Sequence, residues 1–266
     1  MKKHKIKNYW NGEAKKWDAF VDDKKNLWTR RSHMMVEFIS KIIPTHGNSL
    51  DLGCGPGVLC GLLAEKGFTA HGVDISENML SYAKNRNPNV SFAMGDEKEI
   101  PFNQMQFSLI TAFGVLEYIE NRQGYIQKIT KMLRPGGIML LSNSNNRSFF
   151  VLLAILSRLL RLPLHPNQAW IDTIKNLSHT GIWSGGKINH DKADNIYNAN
   201  SLDHLAISSG MKLITSFGMF NFSFLDCKPF LVSLQKSRLG RSILRKWAWN
   251  YIGVYRKPCS KIELSK

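Results

Sequence analysis

One stretch limits what this chain can fold into more than any other: Leu50-Asp51-Leu52-Gly53-Cys54-Gly55-Pro56-Gly57. A short apolar run ends in an acid and enters a glycine-rich turn. An amphipathic segment, Val58 to Lys66, follows with Leu59, Leu62 and Leu63 on one face. A strand, a glycine turn and a helix in that order bring backbone N–H groups and a helix N-terminus close to a ligand. Gly53, Gly55 and Gly57 lack a Cβ, so the main chain can be approached and the turn can take positive φ. At helical distance a second apolar run, Ala70-His71-Gly72-Val73, ends in Asp74. An acid roughly 20 residues after such a turn is placed to accept hydrogen bonds from ribose hydroxyls.

The pattern then alternates. Strands are expected near Ser49–Leu52, Ala70–Asp74, Val90–Met94, Phe107–Thr111 and Ile138–Ser142. Helices are expected at Val58–Lys66, Ser76–Asn85 and Arg122–Leu133, with Ser76 as an N-cap. This order calls for a mostly parallel, Rossmann-like sheet with helices on both faces. A helix over Ser201–Ser209, a strand at Lys212–Phe217 and a last strand near Tyr251–Tyr255 would bring the sheet to seven strands. Asp51, Asp74 and Asp96 each fall at or just past a strand end, on the carboxyl edge where such sheets bind ligands. A dinucleotide-binding fold using NAD is the competing reading. It is disfavoured because the third glycine comes two residues after the second, not three.

Five motifs resemble those of the class I S-adenosylmethionine-dependent methyltransferases, in the right order. They are Asp51–Gly57; Gly72-Val73-Asp74-Ile75-Ser76; Gly95-Asp96 followed by Ile100-Pro101-Phe102; Phe107–Ile110 running on to Val115-Leu116-Glu117-Tyr118-Ile119; and Leu133-Arg134-Pro135-Gly136-Gly137. They cover about 48–143. The resemblance implies S-adenosyl-L-methionine as cofactor. Asp51, Gly53, Cys54, Gly55 and Gly57 would hold its methionine end. Asp74, with Ile75 and Met79 beside it, would bind the ribose diol. Asp96, with Glu97 next to it, would take the adenine amino group, and Phe113 and Gly114 would line the sulfonium. Tyr9, Trp10 and Trp17-Asp18 resemble elements that close over the cofactor, although packing against the sheet explains them equally. Arg31 stands where an arginine could reach the cofactor carboxylate. The family often has His where this chain has Tyr118, which casts doubt on a histidine base there.

The domain reading is an N-terminal helical cap over 1–47, a cofactor core over 48–146, an acceptor lid over 147–199 and a closing segment over 200–266. Net charge is +16, and its distribution matters more than its size. Residues 50–145 carry 8 basic and 9 acidic side chains; residues 1–49 carry 11 and 5, and residues 146–266 carry 17 and 6. The excess lies wholly outside the cofactor core. It favours an anionic partner such as phospholipid headgroups, a phosphorylated or carboxylated small molecule, or nucleic acid; a merely soluble basic surface is the bland alternative. Four cysteines, Cys54, Cys60, Cys227 and Cys259, show neither a Cys-x-x-Cys pair nor zinc spacing, so no metal is expected. Met1–Lys7 is basic without an apolar run behind it, which reads as no secretory signal and a cytoplasmic protein.

Between the fifth strand and the next helix lie residues 144–199, far more than most connections use. Ser148 to Leu162 is strongly apolar, and Pro163 stops it. At ~1.5 Å per residue a helix there is about 22 Å long, too short for a ~30 Å hydrocarbon core. Arg147, Arg158 and Arg161 would share a stripe of roughly 60° at ~100° per residue. The pattern fits a helix lying at an anionic membrane surface through 147–163, at the inner face of the membrane. It also fits a lid helix buried against its own domain or a dimer partner, the reading slightly preferred. Arg238, Arg241 and Arg245 near Trp247 and Trp249 repeat the theme.

The leading expectation is methyl transfer to an oxygen or nitrogen atom of a small-molecule or lipid-like acceptor. A hydroxyl acceptor needs a base. Candidate catalytic residues are His190, Glu117 and Tyr118, with His165 and His179 as further lid histidines. Methylation of RNA or DNA is the second reading. Thr111-Ala112-Phe113-Gly114 is not an Asn/Asp-Pro-Pro-aromatic motif, and no Pro-Cys stands at a cytosine-C5 nucleophile position, so the sequence argues against nucleic acid. A cofactor-binding scaffold without catalysis is the third.

Overall fold

The computed structural model of the protein describes residues 3–22, 27–102, 106–144, 199–219 and 250–259. Its elements are α1 (Lys3–Asp22), α2 (Leu27–Ile42), β1 (Asn48–Leu52), α3 (Val58–Glu65), β2 (Thr69–Asp74), α4 (Glu77–Arg86) and β3 (Ser91–Met94). There follow β4 (Phe107–Ala112), a 3-10 turn (Leu116–Tyr118), α5 (Arg122–Met132), β5 (Leu133–Ser144), α6 (Ala199–Ser208), β6 (Lys212–Met219) and β7 (Asn250–Arg256). The segment 147–163, the histidines His165, His179 and His190, and the arginines Arg238, Arg241 and Arg245 lie outside the described residues. The chain divides into two compact units. One is 2–142 with 203–215 and 253–266; the other is residue 1 with 143–202 and 216–252. All that follows on the site concerns the first. Among the described residues no helix is long and apolar enough to cross a membrane.

The seven strands form one sheet in the order β3-β2-β1-β4-β5-β7-β6. β1 pairs in parallel with β2 on one side and β4 on the other, with Asp51 opposite Gly72 and Thr111. β2–β3 and β4–β5 are also parallel. The strand order reverses at β1/β4, and ligands of such sheets bind outside the carboxyl ends at that crevice. The core follows from composition. Every residue of β4, Phe107 to Ala112, is buried, as are Leu50 and Leu52 of β1. A strand covered on both faces is a continuous apolar run rather than an alternation.

The helices begin where their caps allow. Ser76 caps α4 as expected, its Oγ accepting from Met79 N at 3.1 Å. Asn121 caps α5, accepting from Gly124 N at 2.9 Å. α3 differs: its N-cap is Gly57 at φ 79°, which has no side chain to satisfy the first turn's amides.

Elements match the expected positions to within a residue or two, except at β5. This strand starts at Leu133, directly after α5, rather than at Ile138. Pro135-Gly136 lies inside it as an irregularity. Phe107 pairs with Leu133 and Leu109 with Ile138, so the register shifts between them, and Gly136 takes φ 75°. Gly136 N donates to Lys257 O and Lys257 N to Gly137 O, both at 2.9 Å. The start of β5 thus meets the end of β7, so β7 runs against its neighbour.

Gly72 tests how tightly the sheet packs under the site. A Cβ there would stand 2.6 Å from the Phe92 ring and 2.9 Å from Cys54 Sγ. Gly72→Ala should lower unfolding free energy by about 1–3 kcal/mol through overpacking. Urea denaturation checks this; an unchanged midpoint would mean the ring and thiol move aside freely.

Candidate functional site

The glycine turn after β1 is fixed from beneath. Gly53 N and Cys54 N both donate to Val73 O of β2, at 2.7 and 3.0 Å, and Gly57 N donates to Cys54 O at 3.0 Å. Gly55 N donates to Asp74 Oδ2 at 2.9 Å, while Asp74 Oδ1 accepts from Ser76 N at 2.8 Å. One buried carboxylate therefore ties the turn to the start of α4. Each of its oxygens retains acceptor capacity. Burial pushes its pKa up, against the opposing effect of the backbone hydrogen bonds.

Among the described residues, a Cβ on Gly55 (φ 52°) or on Gly114 (φ 69°) would meet no heavy atom within 4 Å beyond its chain neighbours. Both glycines adopt the left-handed region, which favours glycine in itself, and the space beside them leaves room for a ligand to lie against the main chain. Gly114 N is held by Ser142 Oγ at 3.0 Å.

The acids lie at or just beyond the ends of β1, β2 and β3. Asp51 is buried, with Thr111 Oγ1 donating to its Oδ1 at 2.6 Å. Burial raises its pKa to about 7, although Thr111 and Arg31 pull the other way. Arg31 of α2 is buried too, and its pKa is driven down to about 9 by desolvation while Asp51 and Glu117 oppose the change. Its guanidinium carbon lies 5.1 Å from the Phe113 ring centroid, at cation–π distance. Asp96 Oδ1 accepts from Lys98 N at 2.8 Å and Glu99 N at 2.9 Å, and Oδ2 forms an ion pair with Lys3. Burial alone would raise the Asp96 pKa; the Lys3 ion pair and these amides outweigh it and lower the value. Glu97 Oε2 accepts from Glu120 N at 3.1 Å.

Helix α1 docks against α4. Asn11 Oδ1 accepts from Ser76 Oγ at 2.7 Å and Asn78 N at 3.3 Å, and Asn11 O accepts from Asn78 Nδ2 at 3.0 Å. Arg86 clamps Asp18 and Asp22 at 2.6 and 2.5 Å. Trp10 meets Tyr118 edge-on at 6.0 Å and Tyr9 at 5.1 Å. Trp17 packs behind, between Trp10 and Phe20 at 5.9 and 5.4 Å. Tyr118 is pushed to a raised pKa by burial first and by the Glu117 charge second. The phenol is therefore a proton donor rather than a base at neutral pH. Cys54 is buried, and desolvation holds its thiol well above the usual range, so it is no nucleophile. Met79 is buried in α4 and Ile75 half-buried before it.

The structure thus gathers Arg31, Asp51, the glycine turn, Asp74, Asp96, Glu97, Phe113, Gly114, Glu117 and Tyr118 along the carboxyl edge. Sequence reading missed Lys3, Asn11, Thr111 and Ser142. Of these only Thr111, ending an apolar strand, carried a signal, and its meaning depends on register with Asp51.

This geometry has known counterparts. The methyltransferase-domain family model matches residues 27–216. The chain belongs to that family, and its fold is that of the class I S-adenosylmethionine-dependent methyltransferases. Malonyl-[acyl-carrier protein] O-methyltransferase of Priestia megaterium is 30% identical over 156 residues, 56% of this chain and 54% of that protein. Ubiquinone biosynthesis O-methyltransferase of Coxiella burnetii is 30% identical over 115 residues, 41% of this chain and 49% of that protein. The chain spans about half the length of these curated relatives. Magnesium protoporphyrin IX methyltransferase from Synechocystis PCC 6803, solved with bound SAH, superposes with a TM-score of 0.62 at 14% identity, covering 96% of this chain and 99% of that one. A TehB-like methyltransferase from Corynebacterium glutamicum gives 0.56 at 16% identity, covering 94% and 98%. At such identity these likenesses show the fold alone. The cofactor is S-adenosyl-L-methionine, and the open glycine face and the surrounding carboxylates fit it.

Asp51 gives a pH test of the buried charges. Its pKa rises from 3.8 to about 7 on folding. Between those values the folded state keeps a proton that the unfolded state has released, so stability falls as pH rises. Asp51→Asn can still accept from Thr111 but cannot ionise. Relative to this variant, wild type should lose about 2–4 kcal/mol between pH 4 and pH 8, at ~1.4 kcal/mol per pKa unit. Parallel stability curves from chemical denaturation across that range would show that Asp51 ionises freely.

Proposed function

We propose that this protein transfers the methyl group of S-adenosylmethionine to an oxygen atom of a small-molecule acceptor. The observation that carries the reading is the open space among the described residues beside Gly55 and beside Gly114, together with the acids at or just beyond the ends of β1, β2 and β3. The two relatives are both O-methyltransferases, which supports oxygen over nitrogen. The basic excess outside 50–145 supports an anionic or lipid-like acceptor.

The bound cofactor supplies an electrophilic methyl group on a sulfonium. The protein's part is mainly to orient two partners, and proximity can supply much of the acceleration. In this reading Asp74 offers its remaining lone pairs to the ribose diol. Arg31 and Asp51, opposite charges side by side, hold the carboxylate and ammonium of the amino-acid end. Asp96, with Glu97 beside it, takes the adenine amine. Phe113 and Gly114 line the methyl-bearing end, and Tyr9 and Trp10 cover it from α1, with Trp17 packed behind them on Phe20. The glycine turn with Cys54 supplies close main chain, while Ile75 and Met79 form the wall behind Asp74. Glu117 is the base for a hydroxyl acceptor, and Tyr118 a hydrogen-bond donor to it. His190 keeps its place as a further candidate base.

Two measurements test this. Asp74→Asn, with folding verified by circular dichroism, should weaken SAH binding at least tenfold by calorimetry, since an amide cannot accept at both oxygens. Undiminished binding would remove Asp74 from the site. Radiolabelled methyl transfer to carboxylate, phenol and amine acceptors should then label oxygen. With a phenol, Glu117→Gln should lower kcat by about 10²–10⁴-fold; with a carboxylate, already anionic, it should change little. Labelling of amines alone would overturn the oxygen assignment.

A further inference from the structure

We infer that the first turn of α1 is a latch that the protein closes on its own adenine position. Lys3 holds the Asp96 oxygen that an adenine amine would need, and cofactor binding displaces it. This rests on the reading of Asp96 as the adenine acceptor.

The carboxylate is asymmetrically used. Oδ1 already accepts two backbone N–H groups, from Lys98 and Glu99. Oδ2 is the oxygen left for another donor, and Lys3 Nζ sits on it. The two partners differ in what they lose on parting. The Asp96 side chain is 8% exposed and needs a donor, whereas the Lys3 side chain is 66% exposed and returns to water when released. Exchanging an ammonium for an amine donor keeps Asp96 satisfied, so the trade is nearly balanced.

Release of Lys3 leaves α1 docked. The helix has other anchors beyond its first residues: Ile6, Ala14 and Val21 are buried, Lys7 lies on Glu77 at 2.9 Å, Asn11 on Ser76 and Asn78, Trp10 against Tyr118, and Asp18 and Asp22 on Arg86. The first-turn amides of a helix have no intrahelical acceptor, so that turn frays at little cost. An occupied position reduces apparent affinity by the fraction of protein in which it is free. An ion pair with one exposed partner is weak, which sets the effect at about two- to fivefold.

Calorimetric titration of SAH and of S-inosylhomocysteine, which lacks the exocyclic amine, into full-length protein tests the latch. Wild type should prefer SAH. Lys3→Met should bind SAH about two- to fivefold more tightly and should not tighten the inosyl analogue, while Lys3→Arg should behave like wild type. If wild type prefers SAH but Lys3→Met binds it no better, the latch is wrong and the Asp96 reading stands. If wild type does not distinguish the two ligands, the Asp96 reading fails and the latch with it.

Discussion

The Asp74 carboxylate is the constraint on which the rest of this site depends. Its two oxygens accept Gly55 N from the glycine turn and Ser76 N from the start of α4. The turn is thereby fixed to β2 and to α4 at once. Ser76 in turn caps α4 through Met79 N and donates its hydroxyl to Asn11 of α1. One acid at a strand end thus sets the position of a loop, a helix start and the helix that packs beside them. The cost is a buried charge. Burial raises the Asp74 pKa, and the backbone donors of Ser76, Gly55 and Ile75 only partly offset it. A group retained under that penalty, in an open cleft, is what a ligand site requires and a stable core does not.

The same reasoning applies to Arg31 and Asp51. Each is buried and each is pushed toward its neutral form, Arg31 to about 9 and Asp51 to about 7. Burying two charged groups costs more than burying apolar residues of equal size, so neither is there for packing alone. Arg31 lies against Phe113 and Asp51 on Thr111 near the carboxyl end of β1, where perturbed, buried groups mark a candidate site.

Much of the fold was legible because its strands are apolar runs punctuated by glycine and proline. The exception, β5, shows the limit. Pro135-Gly136 reads as a turn that should stop the strand, but the register shift between Phe107 and Leu109 absorbs it. The acids of the site were legible because each follows a strand directly. Their partners were not. Thr111 faces Asp51 only because β1 and β4 pair in that register. Asn11 reaches Ser76 across 65 residues of sequence, and nothing local marks it. Trp10 and Trp17 looked alike in sequence, yet one meets Tyr118 at the site and the other packs behind it on Phe20. Helical periodicity gives a face, and the identity of what lies opposite comes only from tertiary structure.

The compensation of the acids bears on where acceptor choice resides. Asp51 has Arg31 and Thr111, Asp74 has two backbone amides, and Asp96 has Lys3 and two more amides. Each negative charge is matched locally by a donor or a cation. Across 50–145 the sums also nearly cancel, at 8 basic against 9 acidic side chains. A cleft so balanced exerts little long-range pull on a charged acceptor. The surplus of positive charge sits in 1–49 and 146–266, where the family motifs are absent. A charged acceptor drawn to this protein would therefore respond to the basic side chains of 1–49 and 146–266 more than to the acids near the strand ends, whose charges are already matched.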